Sequence, residues 1–474
     1  MTAAGDGSHQ AVFADQALLD DVVAQVADMQ RHATFEARGM SCRWCAEPIR
    51  LVGHTVTVDT AGQIVERFSS GRLPGGQLYK PCGTRRATRC PSCAALYQGD
   101  ARQLVRQGLL PTPDPGDPCV ATRPVVFATL TAPSFGAVHR RPAPGGPCHV
   151  AASGRCRHGR PLACLARHDA DDPMLGEALC GDCYDYDHAV LFNATMSELW
   201  RRTTIYLHRH LARLLCVTAA ELRRTVRLSY VKVAELQRRG AVHLHVVVRV
   251  DPADDPAGPA QAISAESVAL ALRMAATHVR VAYPDNHGTA RWGEQLDCTT
   301  IAPTNPAERT RVANYLAKYA TKGSDAAGTL DRRLYSIHHL DRLGLPPQLR
   351  RLVETAWRLG ADPALAGLRL RAWAHTLGLR SHFLTKSRRY STTFTALRAK
   401  RRDYRRSRHL ATLGITPTSP LVTAGKWAFA GRGWASRGEQ YLAACRASQA
   451  AEARRLAADT AAAVSAVGAV GGTP

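Results

Sequence analysis

The segment between residues 229 and 250 constrains the fold more than any other part of the chain. Two strand-like runs, SYVKVAELQ and AVHLHVVVRVD, flank the short polar stretch QRRG at 237–240. A glycine at the end of such a stretch is typical of a tight β-hairpin turn. The pattern therefore predicts two neighbouring antiparallel strands. A three-residue loop at 238–240 would place Glu235 opposite His243 on one face of the sheet.

The histidine strand is a candidate metal site. His243 and His245 are two residues apart, and alternate residues of a strand share a face, so both imidazoles can reach one ion. Two imidazoles and the Glu235 carboxylate make a facial set suited to Mg²⁺ or Mn²⁺. The alternative is a pair of ordinary half-exposed histidines. A second pair, His208 and His210, falls in a helix-like stretch and is interpreted as surface charge.

A helical segment downstream carries two tyrosines. In RVANYLAKYATKGSD (311–325), Tyr315 and Tyr319 are four residues apart, so both hydroxyls project from one helical face. Lys318 and Lys322 each follow a tyrosine by three residues. A tyrosine can attack a phosphodiester if a metal polarises the phosphate and a cation supports the developing charge. The alternative for a helical tyrosine is a core or interface anchor.

The chain resembles the HUH-superfamily rolling-circle replication initiators, most closely those of actinobacterial plasmids and integrative elements. Three ordered motifs carry the resemblance: FATLTAPSF (127–135), ELQRRGAVHLH (235–245) and NYLAKYATK (314–322). The last has the YxxxYxxK pattern of initiators that use two tyrosines. The segments PCGTRRATRCPSC, ALCGDCYDYDHAV and GLRSHFLTKSRRYSTTF also resemble the actinobacterial group. The resemblance covers about residues 40 to 445.

The resemblance implies an α+β fold, in which an HUH endonuclease domain has a central antiparallel sheet with the histidine strand in mid-sheet. It implies that His243 and His245 bind the metal and that Tyr319, Tyr315 or both act as nucleophile. Tyr319 ranks first, because single-tyrosine initiators carry the pattern KYxxK. Such an enzyme nicks one strand at an origin through a 5′-phosphotyrosine and leaves a 3′-hydroxyl primer. An HUH relaxase or transposase would share this chemistry.

The cysteine spacing predicts two structural zinc sites. Four cysteines form two CxxC pairs in the N-terminal region, with Cys82 or His54 as spare or alternative ligands, and the alternative is unrelated buried thiols. A second set ends in another CxxC pair, and its other ligands are two cysteines or include a histidine, His158 or His168. The favoured ligands of the two sites are Cys42, Cys45, Cys90 and Cys93, and then Cys156, Cys164, Cys180 and Cys183.

Length and composition predict three regions. Residues 1–115 form an N-terminal region with a zinc module, and the proline-rich stretch 111–119 marks its end. Residues 116–330 form the nickase domain, with a zinc-binding insertion at about 140–190. Residues 331–474 form a basic, mostly helical DNA-binding region with an alanine-rich tail.

The charge predicts a nucleic-acid partner. The formal net charge is +23 and the sequence pI is about 9.9, which indicates an anionic partner such as origin DNA, single- and double-stranded. The alternative is a basic solvated surface. Between residues 380 and 409 cations alternate with aromatic residues, which suits single-stranded DNA, although RAKRRDYRRSR is equally a solvated basic helix. The predicted DNA contacts are Arg380, Lys386, Arg388, Arg389 and Tyr390.

Several sequence motifs are absent, and this limits where the protein acts and what it does alone. No apolar run approaches the roughly 20 residues of a membrane span, and no signal peptide is evident, which predicts a cytoplasmic protein. No GxxxxGK[ST] motif occurs, so strand separation requires a host helicase, and a host polymerase would extend the primer. A non-catalytic, zinc-dependent DNA-binding regulator is the alternative from another class. The oligomeric state is left open.

Overall fold

A computed structural model describes residues 15–111, 120–142, 145–150, 154–253, 263–302, 305–325, 330, 332–412, 414 and 420–470. In chain order its α-helices are α1 (Gln16–Ala27), α2 (Met29–Cys42), α3 (Pro91–Gln107), α4 (Tyr186–Leu214), α5 (Ala219–Thr225), α6 (Ala265–His278), α7 (Pro306–Asp325), α8 (Pro347–Leu359), α9 (Leu370–Trp373), α10 (Phe394–Thr412) and α11 (Arg437–Val470). Its strands are β1 (Ile49–Val58), β2 (Ile64–Ser69), β3 (Leu78–Lys80), β4 (Val125–Leu130), β5 (Val226–Leu236), β6 (Val242–Pro252), β7 (Val281–Ala282), β8 (Thr289–Ala290), β9 (Leu296–Ile301), β10 (Leu384–Lys386) and β11 (Val422–Arg432). The fold is α+β with antiparallel sheets.

The chain divides into two compact units rather than three consecutive regions. The first unit joins Met1–Gln98 to Thr395–Pro474, and the second is Gly99–Phe394. The physical reason is strand pairing: β11 pairs antiparallel with the whole length of β1, so the C-terminal segment folds with the N-terminal region. The predicted boundary at 115/116 lies outside the described residues. The predicted boundary at 330/331 falls inside the second unit.

The first unit is built on a sheet with the order β11-β1-β2, and β3 also pairs with β1. Its core packs Phe35, Tyr79 and Trp434 around a set of buried cysteines. The Phe35 and Trp434 rings lie 5.3 Å apart, and the Trp434 indole N–H donates to the carbonyl of Cys45 at 2.9 Å. A residue from the C-terminal segment thus closes the core of the N-terminal region.

The second unit contains a five-stranded antiparallel sheet with the order β10-β5-β6-β4-β9. The histidine strand β6 is therefore central, as predicted. Its even-numbered residues, such as Leu244 and Val246, join the large apolar core with Leu199 of α4 and Leu272 of α6. The odd-numbered residues point to the opposite face, because side chains alternate along a strand. The sheet therefore separates an apolar core from the face that carries His243 and His245.

The hairpin between β5 and β6 has the predicted register. Glu235 pairs with His243, and the amide of Gln237 donates to the carbonyl of Ala241 at 2.9 Å across a three-residue loop. Gly240 has φ +81°, and a Cβ at this position would lie 2.2 Å from the side chain of Leu352. Glycine therefore ends this turn for both a conformational and a steric reason.

Helix α7, which we call the tyrosine helix, packs against β5. Ala313, Leu316, Ala317 and Ala320 are buried along it, at the spacing of one helical face. The small alanines allow the helix to approach the sheet closely. None of the described helices is long and apolar enough to span a membrane.

The His208–His210 pair lies on helix α4, as predicted, but it is not surface charge. His210 is 3% exposed, and its ring stacks on that of His278 at 5.0 Å. Burial lowers the pKa of His210, so the ring packs as a neutral group. The helical position was correctly predicted, and the burial followed from packing against α6.

Candidate active site

Two imidazoles and one carboxylate meet on the face of the sheet that the tyrosine helix covers. Glu235 Oε2 lies 2.7 Å from His243 Nε2 and 3.0 Å from His245 Nε2. Hairpin pairing brings Glu235 beside His243, and the two-residue strand period brings His245 onto the same face. The three side chains predicted as ligands are therefore brought together, and they could hold one metal ion.

The electrostatics of this group favour an ionised carboxylate. Burial raises the pKa of Glu235, but hydrogen bonds from His243 and His245 outweigh it and bring this pKa to about 2. Burial lowers the pKa of His245, with its hydrogen bond to Glu235 opposing the change. A carboxylate anion beside a neutral imidazole is the protonation state in which these groups coordinate metals.

The donor spacing fits a hard divalent cation. Ligands at right angles in octahedral coordination, each at roughly 2.1 Å from the ion, lie about 3 Å apart. The two distances from Glu235 Oε2, 2.7 and 3.0 Å, match this spacing. Two nitrogens and one oxygen on one side would leave the other coordination positions for water or a phosphate oxygen.

Two residues that we did not predict hold the histidines from behind. Thr129 Oγ1 lies 3.1 Å from His245 Nδ1, and Gln237 Nε2 lies 3.5 Å from His243 Nδ1. Thr129 is paired with His245 across β4 and β6, so it belongs to the same face. The segment FATLT indicates a strand in which the alternate residues Phe127 and Thr129 share one face. The sequence does not show which strand pairs with it, so Thr129 could not be assigned to His245.

The two tyrosines lie over the histidines. Ring centroids of Tyr315 and Tyr319 lie 5.1 and 4.9 Å from that of His245, and 4.5 Å from each other. The Phe127 ring meets Tyr315 edge-on at 5.5 Å. Burial raises the pKa of Tyr315, and the neighbouring Tyr319 raises it further, so the Tyr315 hydroxyl holds its proton near neutral pH. Both predicted nucleophiles are therefore adjacent to the candidate metal ligands.

Of the two lysines on the tyrosine helix, the side chain of Lys318 is among the described residues and that of Lys322 is not. Lys318 is exposed, one residue before Tyr319. Lys322 lies in the last turns of the same helix, and its side chain lies outside the described residues. A role for either lysine therefore stays a prediction.

The cysteine group of the first unit differs from the predicted set by one ligand. Cys45, Cys82, Cys90 and Cys93 come together, whereas the predicted Cys42 does not. Helix α2 continues through Cys42, and its thiol lies 3.7 Å from the Gly39 carbonyl. Left-handed backbone at Arg43 then turns the chain so that Cys45 enters the group. Cys82, which we named as a spare ligand, replaces Cys42, and the other alternative, His54, lies on β1 outside the group.

The insertion contains two Cys/His groups where we predicted one. Cys156, Cys180 and Cys183 gather with His158, and the predicted Cys164 does not join them. Cys164 lies in a second group with His139, Cys148 and His168. The reason is an antiparallel bridge between His149 and Cys164, which brings Cys164 beside Cys148. Outside this group, Asp172 contacts His168 Nδ1 at 2.7 Å and so orients that ring.

In each of the three Cys/His groups found among the described residues, the candidate ligand atoms lie within 4.8 Å of one another. Thiolates around a tetrahedral zinc ion at about 2.3 Å lie roughly 3.8 Å apart, and imidazole nitrogens lie somewhat closer. Sulfur atoms of Cys45 and Cys90 are 3.8 Å apart, and those of Cys82 and Cys93 are 3.7 Å apart. In the insertion, His158 Nδ1 lies 3.6 Å from the sulfur of Cys180. The donor chemistry and spacing of these groups therefore fit zinc.

The predicted DNA-contact residues differ in how exposed their side chains are. Arg380, Arg388 and Arg389 are exposed. Lys386 is half-buried, and its ammonium donates to the carbonyls of Ser387 and Arg388 at 3.3 and 3.2 Å.

The prediction that Tyr390 stacks on DNA is wrong. Its side chain is 2% exposed, its hydroxyl donates to the Val105 carbonyl at 3.2 Å, and its ring fills the space over Gly108. The Arg249 guanidinium lies over the same ring at 5.2 Å. Tyr390 therefore stabilises the second unit from inside, and no local pattern indicated that α3 would cover it.

Comparisons with known proteins agree with one another. Residues 31–448 match the family model described as RepSA, replication initiator protein, pSAM2. A replication initiator protein of Streptomyces ambofaciens is 42% identical over 445 residues, which cover 91% of this chain and 93% of that protein. No solved structure matches the chain.

Proposed function

The chain belongs to the RepSA family of replication initiator proteins, and we propose that it starts plasmid replication by nicking one strand of origin DNA. The observation that carries the proposal is the convergence of His243 and His245 on one oxygen of Glu235, directly beneath two tyrosine rings. A metal site with an adjacent nucleophile is what phosphodiester cleavage by covalent transfer requires.

In the proposed reaction the oxygen of Tyr319 attacks the scissile phosphorus. A bond forms between this oxygen and phosphorus, and the bond from phosphorus to the 3′-oxygen breaks. The products are a 5′-phosphotyrosine and a 3′-hydroxyl, which takes up a proton as the tyrosine loses one. Glu235, His243 and His245 would hold Mg²⁺ or Mn²⁺, which polarises the phosphate when bound. Lys318 and Lys322 would support the negative charge of the transition state.

Tyr315 would serve a second, terminating transfer. Both tyrosine rings lie at nearly equal distances from His245, which supports a role for each. Tyr319 is assigned the first attack on the basis of the KYxxK pattern formed by Lys318, Tyr319 and Lys322. Because burial raises the pKa of Tyr315, its hydroxyl would have to lose its proton during its own transfer.

The three Cys/His groups are proposed to bind structural zinc, one ion in the first unit and two in the insertion. Four ligands close each tetrahedral site and leave no position for a substrate. Such ions would stabilise loop-rich segments that bury little apolar surface. This assignment replaces the two zinc ions predicted from cysteine spacing alone.

The family match favours an initiator over a relaxase or transposase with the same chemistry. A DNA-binding regulator would need the cysteine groups and the basic charge, but it would not need the Glu235 site under the tyrosine helix. The proposed partners are origin DNA and a host helicase and polymerase, which would open the duplex and extend the 3′-hydroxyl.

A nicking assay tests the proposal. Protein and Mn²⁺ are incubated with supercoiled plasmid that carries the cognate origin, and relaxed DNA bound covalently to protein is detected after denaturation. Tyr319→Phe should reduce adduct formation strongly, and the double variant with Tyr315→Phe should abolish it, because no phenol remains to attack. Tyr335→Phe is the matched control, since Tyr335 is 85% exposed and lies outside the site.

Adduct formation by the double variant would contradict the nucleophile assignment. A shift of DNA mobility by the wild type without relaxation would favour the regulator. Relaxation of plasmids that lack an origin would favour a different HUH activity.

A further inference from the structure

A cavity of about 750 Å³ opens beside the Glu235 site. Its walls come from the segment after β4 (131–140), the hairpin turn (237–239) and the segment before β9 (291–295). The insertion adds His149 and the loop at 175–176. The volume lies within the roughly 300–1,000 Å³ of typical ligand sites, so it suits a short stretch of single strand rather than a duplex.

The cavity is continuous with the residues that support the metal ligands. Gln237 lines it and also contacts His243 Nδ1. Thr131 lines it two residues beyond Thr129, which contacts His245. A DNA strand whose phosphate lies at the metal ligands would therefore reach this cavity by passing Gln237 or Thr131.

The charge of the lining is strongly positive. It contains Arg140, Arg238, Arg239 and Arg291 against one carboxylate, that of Glu294. Within the described part of the chain, the structure shows none of these four arginines in an ion pair.

Neutral carbonyl groups hold three of these arginines. Arg239 donates to the carbonyls of Ala132 and Pro133, at 3.2 and 3.1 Å, and Arg140 donates to that of Cys148 at 3.2 Å. Arg238 donates to two carbonyls of the insertion, those of residues 170 and 172. Carbonyls position a guanidinium without cancelling its charge, so the cavity presents fixed positive charge.

We propose that this cavity binds the phosphates of single-stranded DNA next to the scissile phosphate. The inference rests on the proposed function, which places the cut phosphate at Glu235, His243 and His245. The positive charge of guanidinium groups attracts phosphate oxygens, and side chains that are already held in place lose little conformational freedom when the strand enters. The Cys/His group that contains His139 and Cys148 forms part of the wall, which gives the insertion a role in holding DNA.

Binding of a fluorescein-labelled thymidine oligonucleotide of about 15 residues tests the proposal. It is measured in the Tyr315→Phe/Tyr319→Phe protein without added Mn²⁺, so that no strand is cut. Arg140→Ala and Arg291→Ala should each weaken binding about tenfold, since each removes a charged hydrogen-bond donor. Each should also lower the slope of log affinity against log salt by about 0.7, because one phosphate fewer is neutralised by the protein.

Arg213→Ala is the matched control, because Arg213 is exposed on α4 and does not line the cavity. Circular dichroism and zinc content establish that each variant is folded. Affinities of Arg140→Ala and Arg291→Ala equal to that of Arg213→Ala would overturn the proposal. Displacement of the oligonucleotide by thymidine monophosphate at equal concentration would overturn it in favour of a mononucleotide site.

The two proposals can fail separately. If the wild-type protein forms no tyrosine adduct while the cavity variants lose oligonucleotide binding, the nickase assignment fails and the binding site stands. If adducts form and the cavity variants bind normally, only the cavity assignment fails.

Discussion

At the scale of single residues, Glu235 joins the two imidazoles into one site. Its side chain is 13% exposed, and one of its oxygens contacts both His243 and His245. Without this carboxylate, two ring nitrogens would face one another with no anionic ligand between them. The carboxylate also supplies the negative charge that a divalent cation requires in a partly buried position.

Thr129 contacts His245 and, under the proposed function, would be a positioning residue. Its hydroxyl meets the ring nitrogen that faces away from Glu235, so it fixes the orientation of the imidazole with Nε2 directed at Glu235. Partners of this kind are often as important for affinity as the ligands they hold.

Thr129→Val should lower Mn²⁺ affinity about 10- to 100-fold, because valine keeps the shape of the side chain and removes the hydroxyl. Titration calorimetry measures the affinity, and Glu235→Ala provides the reference in which binding is abolished. Thr129→Ser should restore most of the affinity, and His54→Ala, an exposed residue of the first unit, should leave it unchanged. An unchanged affinity in Thr129→Val would show that the hydroxyl does not position His245.

At the scale of elements, the insertion has an interleaved ligand order. The first group uses residues at 139, 148, 164 and 168, and the second uses residues at 156, 158, 180 and 183. Ligand pairs therefore alternate along the chain between the two groups. Each proposed zinc ion would close a loop that contains a pair of ligands for the other, so neither site can assemble independently.

Cys148→Ser should remove both zinc ions of the insertion, because loss of one group frees the loop that orders the other. The zinc content, measured by mass spectrometry, should fall from about three ions per chain to about one. Cys216→Ser is the matched control, since Cys216 is an exposed cysteine outside every group, and it should keep all three. A loss of only one ion would contradict the interdependence of the two sites.

At the scale of the whole molecule, positive charge is present in both units. Helix α10 of the first unit, FTALRAKRRDYRRSRHLAT, contains seven lysines or arginines and one acidic residue, and Leu410 is its one buried residue. A helix that buries so little is stabilised weakly by packing, and its density of cations suits the phosphate backbone of a duplex. The cavity of the second unit concentrates charge in a smaller space that suits a single strand.

Arg405→Ala combined with Arg406→Ala should weaken binding to duplex DNA about equally for any sequence. The salt slope should fall by about 0.9 for each phosphate that the double variant no longer neutralises. The matched control is Arg454→Ala with Arg455→Ala, which removes the same charge from exposed positions on α11. Fluorescence anisotropy measures the DNA affinity of both double variants. Equal reductions in affinity would indicate that total charge, rather than α10, governs duplex binding.

Much of the candidate site could be predicted because its geometry is local. The period of a strand, the length of a hairpin loop and the period of a helix depend on neighbouring residues alone. These rules were sufficient for the pairing of Glu235 with His243, for the shared face of His243 and His245, and for the adjacency of Tyr315 and Tyr319. The antiparallel sheet with the histidine strand at its centre was predicted from the family resemblance and not from these local rules.

The ligand sets of the cysteine groups, which depend on distant pairing, were predicted only in part. The choice of Cys82 over Cys42 follows from where α2 ends, and the separation of Cys164 from Cys156 follows from a bridge to His149. Candidate zinc ligands cannot be told apart in a sequence, since any nearby thiol satisfies the spacing. Only the folded chain determines which four approach one point.

The sequence by itself determined the residues of the candidate Glu235 site, because local backbone geometry puts Glu235 beside the two histidines and puts the two tyrosines on one helical face. The tertiary structure brought these two groups together and decided what surrounds them. It joined the two ends of the chain through β11 and β1, buried Tyr390 under α3, and set four arginines around a cavity beside the site. These features depend on contacts between residues far apart in the chain, and no local periodicity encodes them.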